Sequence, residues 1–124
     1  MAETIKTVGI VGTGQMGSGI GQVAAQAGFS VILYDINEEI VDRGLGNIQK
    51  GLVRMIDRGT LSPEEQRKVL SRLTGTAVLE ELGEADVVIE AAPEDYSLKE
   101  DLFRRLDQVI PTDIILASNT SSIS

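Results

Sequence analysis

The sequence has no cysteine and no histidine among its 124 residues. Without cysteine it forms neither disulfides nor thiolate metal sites, so we expect a cytoplasmic location and no metal site. Histidine is the usual side chain for proton transfer near neutral pH. A proton-transfer reaction assigned to this chain must therefore use another group or take a histidine from elsewhere.

Aromatic side chains, basic charge and long apolar runs are also scarce. Aromatic residues make up 3% of the chain, and the formal net charge is -8. An acidic surface repels phosphate backbones, and few aromatic rings are available for base stacking, so we expect no nucleic-acid partner. No stretch approaches the roughly 20 apolar residues of a membrane span. We therefore expect no membrane partner. The N-terminal segment lacks the basic start and apolar run of a signal peptide, so we expect no signal peptide.

What the sequence does have is 42% hydrophobic residues, enough for one packed domain over residues 1–124. Strands are predicted at 7–11, 29–34, 76–78, 85–92 and 113–117, and helices at 15–27 and 97–109, with a helix, a turn and a second helix over 37–73. Ser62, Pro63 and Glu65 predict the start of that second helix, as a capping box with a first-turn proline. The alternation favours an α/β fold: a doubly wound parallel sheet of strand order 3-2-1-4-5, with a helical hairpin inserted after strand 2.

Residues 12–17, GTGQMG, match the pattern G-x-G-x-x-G between a predicted strand and a predicted helix. That context is typical of the dinucleotide-binding turn of a Rossmann-type domain. Gly12 permits the tight turn, Gly14 lets the backbone touch a pyrophosphate, and Gly17 lets the helix lie close to the first strand. The N-terminus of that helix then faces the phosphates. The predicted cofactor-binding residues of this turn are Gly12, Thr13, Gly14, Gln15, Met16 and Gly17.

Asp35 follows the second predicted strand, where a carboxylate accepts hydrogen bonds from the adenosine ribose of NAD. It would repel the 2′-phosphate of NADP, and no Arg or Lys immediately follows it. We therefore predict NAD as the cofactor. FAD uses the same fingerprint, but the short domain has no insertion for an isoalloxazine ring. The alternative is that the glycines make only a turn and that Asp35 caps the next helix.

Four segments together resemble the 3-hydroxyacyl-CoA dehydrogenase family, and most closely its bacterial 3-hydroxybutyryl-CoA members. They are GIVGTGQMGSGIGQVAAQAG, YD, IEAAPEDYSLKEDLFRRLD and ASNTSSIS. The glycine turn is common to many dehydrogenases, whereas the pairing of E-A-x-x-E-x-x-x-x-K with S-N-T-S-S is far more specific. The resemblance covers nearly the whole chain but only the amino-terminal half of the family's protein.

The resemblance implies roles for residues beyond the glycine turn. Glu94 lies by the nicotinamide ribose and Lys99 contacts the cofactor in the same region, in a segment that also includes Ala92 as a cofactor-site residue. Ser121 is the implied catalytic residue, hydrogen-bonded to the substrate oxygen between nicotinamide and substrate, and Asn119 shapes that pocket. The alternatives are a solvated Lys99, a Glu94 that favours a helix N-terminus, and a Ser121 that caps a turn.

The helical hairpin resembles the one that helps to hold coenzyme A in the family. Lys50, Arg54 and Arg58 are the side chains that we expect to meet its phosphates, since cationic groups and arginine above all suit them. A family lysine position falls at Arg58. The alternative is that these three charges form only a solvated helix face.

The implied reaction moves a hydride from C3 of an acyl thioester to NAD while a base removes the hydroxyl proton. In the family that base is a histidine paired with a glutamate, beyond the S-N-T-S-S segment. Since this chain has no histidine, we expect it to be catalytically silent alone. Its expected partners are an acyl-CoA substrate and the family's helical carboxyl-terminal domain. Apolar surface left exposed without that domain predicts a homo-oligomer.

Two other functions stay open at this point. One is the cofactor domain of a 3-hydroxyacid or 6-phosphogluconate-type dehydrogenase, which also carries G-x-M-G after its first strand. The other is a non-catalytic dinucleotide-binding module, which the missing histidine favours.

Overall fold

A computed structural model describes residues 5–91 of the chain and the backbone of residues 115–118. Its elements follow one another as strand and helix in alternation. In chain order they are β1 (Thr7–Val11), α1 (Gln15–Gln26), β2 (Ser30–Tyr34), α2 (Glu38–Asp57), α3 (Pro63–Ser71), β3 (Leu73–Thr76), a 3₁₀ helix (Leu79–Glu84), β4 (Val87–Glu90) and β5 (Ile115–Ser118). The helix predicted at 97–109 lies outside the described residues.

The strands form one five-stranded sheet of order β3-β2-β1-β4-β5. Every pairing is parallel, with β1 between β2 and β4. The predicted strand order is therefore confirmed. Because the strands are parallel, the carboxyl ends of β1, β2 and β4 lie at the same edge of the sheet, with Val11 paired to Tyr34 on one side and to Glu90 on the other.

Apolar side chains cover both faces of the sheet. One face packs β1 and β2 against the three helices, through Val8, Ile10, Val31, Leu33, Ala25, Ile48, Leu52 and Val69. The other face packs against the 3₁₀ helix, through Val11, Tyr34, Val88, Leu79, Leu82 and Ala85. Alternate residues of β1 point to opposite faces, as the period of a strand requires. The sheet is thus covered on both sides, as predicted for a doubly wound fold.

Side-chain caps fix the two helices of the hairpin. Asn37 caps α2 by accepting a hydrogen bond from the Ile40 N–H at 2.9 Å. Ser62 and Glu65 form the predicted capping box at the start of α3, with reciprocal bonds of 3.0 and 2.8 Å. At the other end of α3, the Arg72 guanidinium donates to the Ala25 carbonyl at 2.8 Å and ties the hairpin to α1. The caps therefore fix where α2 and α3 begin, and the Arg72 bond ties the end of the hairpin to α1.

The third strand lies earlier than the sequence predicts. The prediction placed it at 76–78 after a helix that reached Leu73, but α3 ends at Ser71 and β3 covers Leu73–Thr76. The prediction was wrong because glycine disfavours the interior of a strand, so the sequence around Gly75 did not indicate one. In the structure Gly75 lies under α2, where an added Cβ would come within 2.9 Å of the Leu45 side chain. Glycine is there because the helix packs directly on the strand.

None of the helices within residues 5–91 is both long and apolar enough to cross a membrane.

Candidate functional site

The glycine turn joins the end of β1 to the start of α1. Gly12 has φ of 102°, a conformation that favours glycine, and its N–H donates to the Tyr34 carbonyl at 2.8 Å. At Gly17 an added Cβ would collide with the Gly12 carbonyl oxygen and lie 3.4 Å from the Ile10 side chain. The predicted tasks of Gly12 and Gly17 are therefore consistent with the geometry, and the closest approach of α1 is to the turn itself.

The N-terminus of α1 is open. Its N-cap is Gly14, which has no side chain to cap the helix, and its first turn contains no acidic residue. A Cβ added at Gly14 would meet nothing within 4 Å. Gln15 and Met16 beside it are exposed. The backbone amides and positive end of a helix favour an anion at such a place.

Asp35 lies directly after β2 and is bound to the glycine turn. Its Oδ2 accepts hydrogen bonds from the Thr13 N–H at 2.8 Å and from the Thr13 hydroxyl at 3.2 Å, and its Oδ1 accepts from the Ile36 N–H at 2.7 Å. The residue is half-buried. The alternative in which Asp35 caps the next helix is wrong, because Asn37 is the N-cap of α2.

Thr13 is the centre of this site, a role that sequence reasoning did not assign. It is 2% exposed. Its hydroxyl also lies 3.1 Å from the Ile40 carbonyl, and its own carbonyl accepts the Ser18 hydroxyl at 2.9 Å. Gly44 of α2 packs on it so closely that an added Cβ would lie 2.7 Å from the Thr13 carbonyl oxygen. A glycine inside α2 was the only sequence signal of this contact.

Two of the three predicted coenzyme A contacts border one groove between α1 and α2. The groove has a volume of about 430 Å³ and is lined by Gln15, Ser18, Gly19, Gln22, Asn47, Ile48, Lys50 and Arg54. Lys50 and Arg54 are both exposed. Arg58 is the C-cap of α2, further along the helix, and is not among these residues. Gln15, the first residue of α1, is one of the residues that line the groove.

The remaining predicted site residues, Ala92, Glu94, Lys99, Asn119 and Ser121, lie outside the described residues, and their roles stay predictions. The described strands end close to them in sequence. Glu90, the last residue of β4, is 1% exposed and pairs in register with Val11 of β1 and Ser118 of β5. Strands β4 and β5 therefore end at the edge of the sheet that carries the glycine turn.

Within residues 5–91, no group of three or more acidic side chains is placed to hold a metal ion.

Comparison with known protein families identifies the family of this chain. The family described as "3-hydroxyacyl-CoA dehydrogenase, NAD binding domain" matches residues 7–124. A probable 3-hydroxybutyryl-CoA dehydrogenase of Bacillus subtilis is 44% identical over 119 residues, which are 96% of this chain and 42% of that protein. A 3-hydroxyadipyl-CoA dehydrogenase of Escherichia coli is 41% identical over all of this chain and 26% of its own length.

Solved structures show the same fold. The crystal structure of (S)-3-hydroxybutyryl-CoA dehydrogenase from Ralstonia eutropha superposes with a TM-score of 0.92 at 38% identity, over 95% of this chain and 42% of that chain. The present chain thus spans about two fifths of the length of these 3-hydroxybutyryl-CoA relatives.

Proposed function

The chain belongs to the 3-hydroxyacyl-CoA dehydrogenase family as its NAD-binding domain, and we propose that it holds NAD for oxidation of the 3-hydroxy group of an acyl-CoA. The observation that carries the proposal is Asp35, bound to the glycine turn beside the open N-terminus of α1. The turn supplies a place for phosphates, and Asp35 supplies an acceptor for ribose hydroxyls. Residues 1–124 act as one domain in this proposal.

The described residues fit a dinucleotide. At Gly14 the space that a side chain would occupy is empty, and the first turn of α1 presents backbone amides there. Asp35 is negative and is followed by Ile36, Asn37, Glu38 and Glu39, which bring no positive charge for a 2′-phosphate. This charge pattern supports NAD over NADP as the dinucleotide.

NAD, when bound, supplies the hydride acceptor. We assign the other end of the site by resemblance. Glu94, Lys99 and Ala92 position the nicotinamide end, and Ser121 donates a hydrogen bond to the substrate oxygen beside Asn119. A base must also remove the hydroxyl proton, and the chain contains no histidine to do so. The 124-residue chain is therefore a binding unit, and turnover needs a base from outside it.

The groove between α1 and α2 is the proposed contact for coenzyme A. Lys50 and Arg54 place two positive charges on its rim, and Gln22 and Asn47 add hydrogen-bonding groups. Arg58 extends the same charged side of α2 toward the turn before α3. The acyl group is assigned only as 3-hydroxyacyl, because relatives of nearly equal identity are named for 3-hydroxybutyryl-CoA and for 3-hydroxyadipyl-CoA.

We also propose a homo-oligomer. One side of α1 carries exposed apolar residues, with Met16 51% and Val23 67% exposed, along a shallow apolar surface that includes Ile20, Ala27 and Phe29. Apolar surface of this kind marks contacts with other protein. Sedimentation of the chain at high concentration tests this, and a strictly monomeric species would contradict it.

The first test is to fill the space at Gly14. Gly14 has φ of -69° and ψ of -165°, an extended conformation that valine adopts without strain, so Gly14→Val should leave the fold intact. Its side chain would occupy the place of the pyrophosphate. We expect NADH affinity, followed by fluorescence titration, to fall at least roughly tenfold, or about 1.4 kcal/mol.

Gly46→Ala is the matched control. Gly46 lies in α2, where an added Cβ also meets nothing within 4 Å, so that variant should bind NADH as the wild type does. If Gly14→Val binds NADH as tightly as Gly46→Ala, the phosphate site is not at this turn.

A further inference from the structure

We propose that Thr13 is a positioning residue for cofactor selection: its side chain fixes the Asp35 carboxylate so that one oxygen faces the ribose as an acceptor. The inference rests on the proposed function, because it takes Asp35 as the ribose-binding group. It concerns a side chain that the pattern G-x-G-x-x-G leaves free to vary.

Thr13 makes hydrogen-bond contacts with two other parts of the site. Its N–H and its hydroxyl both lie within hydrogen-bond distance of Asp35 Oδ2, at 2.8 and 3.2 Å. The hydroxyl is also 3.1 Å from the carbonyl of Ile40, in the first turn of α2. At 2% exposure the residue has almost no contact with water, so its hydroxyl must donate within the protein. Thr13 therefore links the glycine turn, Asp35 and α2 in one buried arrangement.

Counting acceptor positions shows what this leaves for a ligand. A carboxylate has about four lone-pair positions, two on each oxygen. The Thr13 N–H takes one position on Oδ2, and the Ile36 N–H takes one on Oδ1. The single proton of the Thr13 hydroxyl is shared between the other position on Oδ2, at 3.2 Å, and the Ile40 carbonyl, at 3.1 Å. On Oδ1 one position remains for a ligand. A ribose hydroxyl is a donor and satisfies it, whereas a 2′-phosphate brings negative charge and no donor at neutral pH.

The hydroxyl also decides where the carboxylate can lie. In Thr13→Val a methyl group replaces the oxygen that is 3.2 Å from Asp35 Oδ2. A methyl group makes no hydrogen bond and needs more space than that distance gives, so the carboxylate must turn away from the position that receives the ribose. Thr13→Ser keeps the hydroxyl and should keep the carboxylate in place.

The experiment measures dissociation constants for NADH and NADPH by fluorescence titration of the 124-residue chain. For Thr13→Val we expect the preference for NADH over NADPH to fall roughly tenfold, which is the effect of losing one hydrogen bond to a charged group at the low end of its range. Thr13→Ser should retain the wild-type preference. Thr13→Ala, which adds no methyl group beside Asp35, gives the same comparison if the valine variant does not fold.

Ser18→Ala is the matched control. Ser18 is also buried and also donates its hydroxyl into the turn, but to the Thr13 carbonyl rather than to Asp35. Its loss should weaken both coenzymes alike and leave their ratio unchanged. If Ser18→Ala lowers the ratio as much as Thr13→Val does, Thr13 has no specific role and the inference fails.

A double-mutant cycle distinguishes an effect of Thr13 that acts through Asp35 from a general effect of Thr13 on the site. In an Asp35→Asn background, Thr13→Val should change NADH affinity by less than about twofold, because the group it acts through has been altered. An equal loss in both backgrounds would overturn the inference while leaving the proposed function in place. A wild-type chain that does not prefer NADH, or an Asp35→Asn variant that keeps the full preference, would overturn both.

Discussion

Two aspartates accept similar hydrogen bonds from the backbone but lie at opposite edges of the sheet, and we expect their roles to differ for that reason. Asp35 accepts backbone N–H groups from Thr13 and Ile36 at the carboxyl edge of the sheet. Asp86 accepts backbone N–H groups from Lys6 and Thr7 at 2.8 and 2.9 Å, at the opposite edge, just before β4. Only Asp35 lies beside the glycine turn, so only Asp35 is placed to meet a dinucleotide. Asp86 fastens the start of β1.

Asp86 makes folding sensitive to acid. The backbone N–H groups of Lys6, and then of Thr7, hold the pKa of this exposed carboxyl below its usual value. Because the folded pKa is lowered, the stabilisation is complete above the unfolded pKa, about 3.9, and is lost as the pH falls through the folded pKa. We expect Asp86→Asn to be less stable than the wild type at pH 7 and the difference to shrink in acid.

Urea unfolding followed at a series of pH values checks this expectation. Glu80→Gln removes the same charge at an exposed position of the 3₁₀ helix and corrects for the change in net charge. A stability difference between wild type and Asp86→Asn that stays constant down to the lowest pH would show that the stabilisation does not depend on the charge of Asp86, and the absence of any difference at pH 7 would show that the Asp86 contacts do not stabilise the folded chain.

Residue roles were only partly predictable from the sequence. Gly12, Gly17 and Asp35 could be placed because their spacing between a strand and a helix defines one backbone path. The proposed role of Thr13 could not, because it arises from contacts with Asp35 and Ile40, which lie 22 and 27 residues away along the chain. A pattern read along the chain does not contain such contacts.

At the scale of the element, two of the three glycines of α2 have opposite surroundings. An added Cβ at Gly44 would lie 2.7 Å from the Thr13 carbonyl oxygen and 3.0 Å from the Ser18 hydroxyl. At Gly46 it would meet nothing within 4 Å. The first glycine lets α2 approach the glycine turn, whereas the second only weakens the helix.

Alanine at the two positions should therefore have opposite effects. Gly46→Ala should raise the free energy of unfolding by up to about 1 kcal/mol, the difference in helix propensity. Gly44→Ala gains the same propensity but must displace the turn, so it should lower both the free energy of unfolding and the affinity for NADH. Urea unfolding and NADH titration of the two variants measure this. Equal stabilisation by both would mean that α2 does not pack tightly on the turn.

Elements marked by a sequence pattern of a few adjacent residues were predicted well. Elements whose residues are explained by packing against other elements were not. The start of α3 is fixed by Ser62 and Glu65 within four residues, so its prediction is confirmed. The 3₁₀ helix was missed, although Leu79, Leu82 and Ala85 recur at its period of three residues and all pack on the sheet. The position of strand β3 was predicted wrongly because its glycine is required by the close packing of α2, whereas glycine by itself disfavours a strand.

For the whole molecule, the amino-acid composition restricts the chemistry that we expect this fold to carry out. The chain holds the proposed NAD site but contains no histidine, and it spans about 42% of a 3-hydroxybutyryl-CoA relative. The chemistry of the family requires a base for the hydroxyl proton. Binding and turnover should therefore separate in this chain.

Complementation tests that separation. With NAD and 3-hydroxybutyryl-CoA, the 124-residue chain alone should form no NADH above the uncatalysed background. Adding the remaining, carboxyl-terminal part of a relative as a separate polypeptide should restore NADH formation, with each polypeptide alone as the control. Turnover by the chain alone would show that a group other than histidine serves as the base. No restoration would favour a non-catalytic binding module.

In our proposal, Asp35, fixed against the glycine turn, makes this an NAD site. The most direct test of this proposal is a fluorescence titration of the wild-type chain with NADH and, in parallel, with NADPH, repeated for Asp35→Asn and for Asp86→Asn as the control carboxylate. We predict that the wild type and Asp86→Asn bind NADH at least roughly tenfold more tightly than NADPH, and that Asp35→Asn loses this preference. Equal binding of the two coenzymes by the wild type, or a preference that survives in Asp35→Asn, would contradict the account.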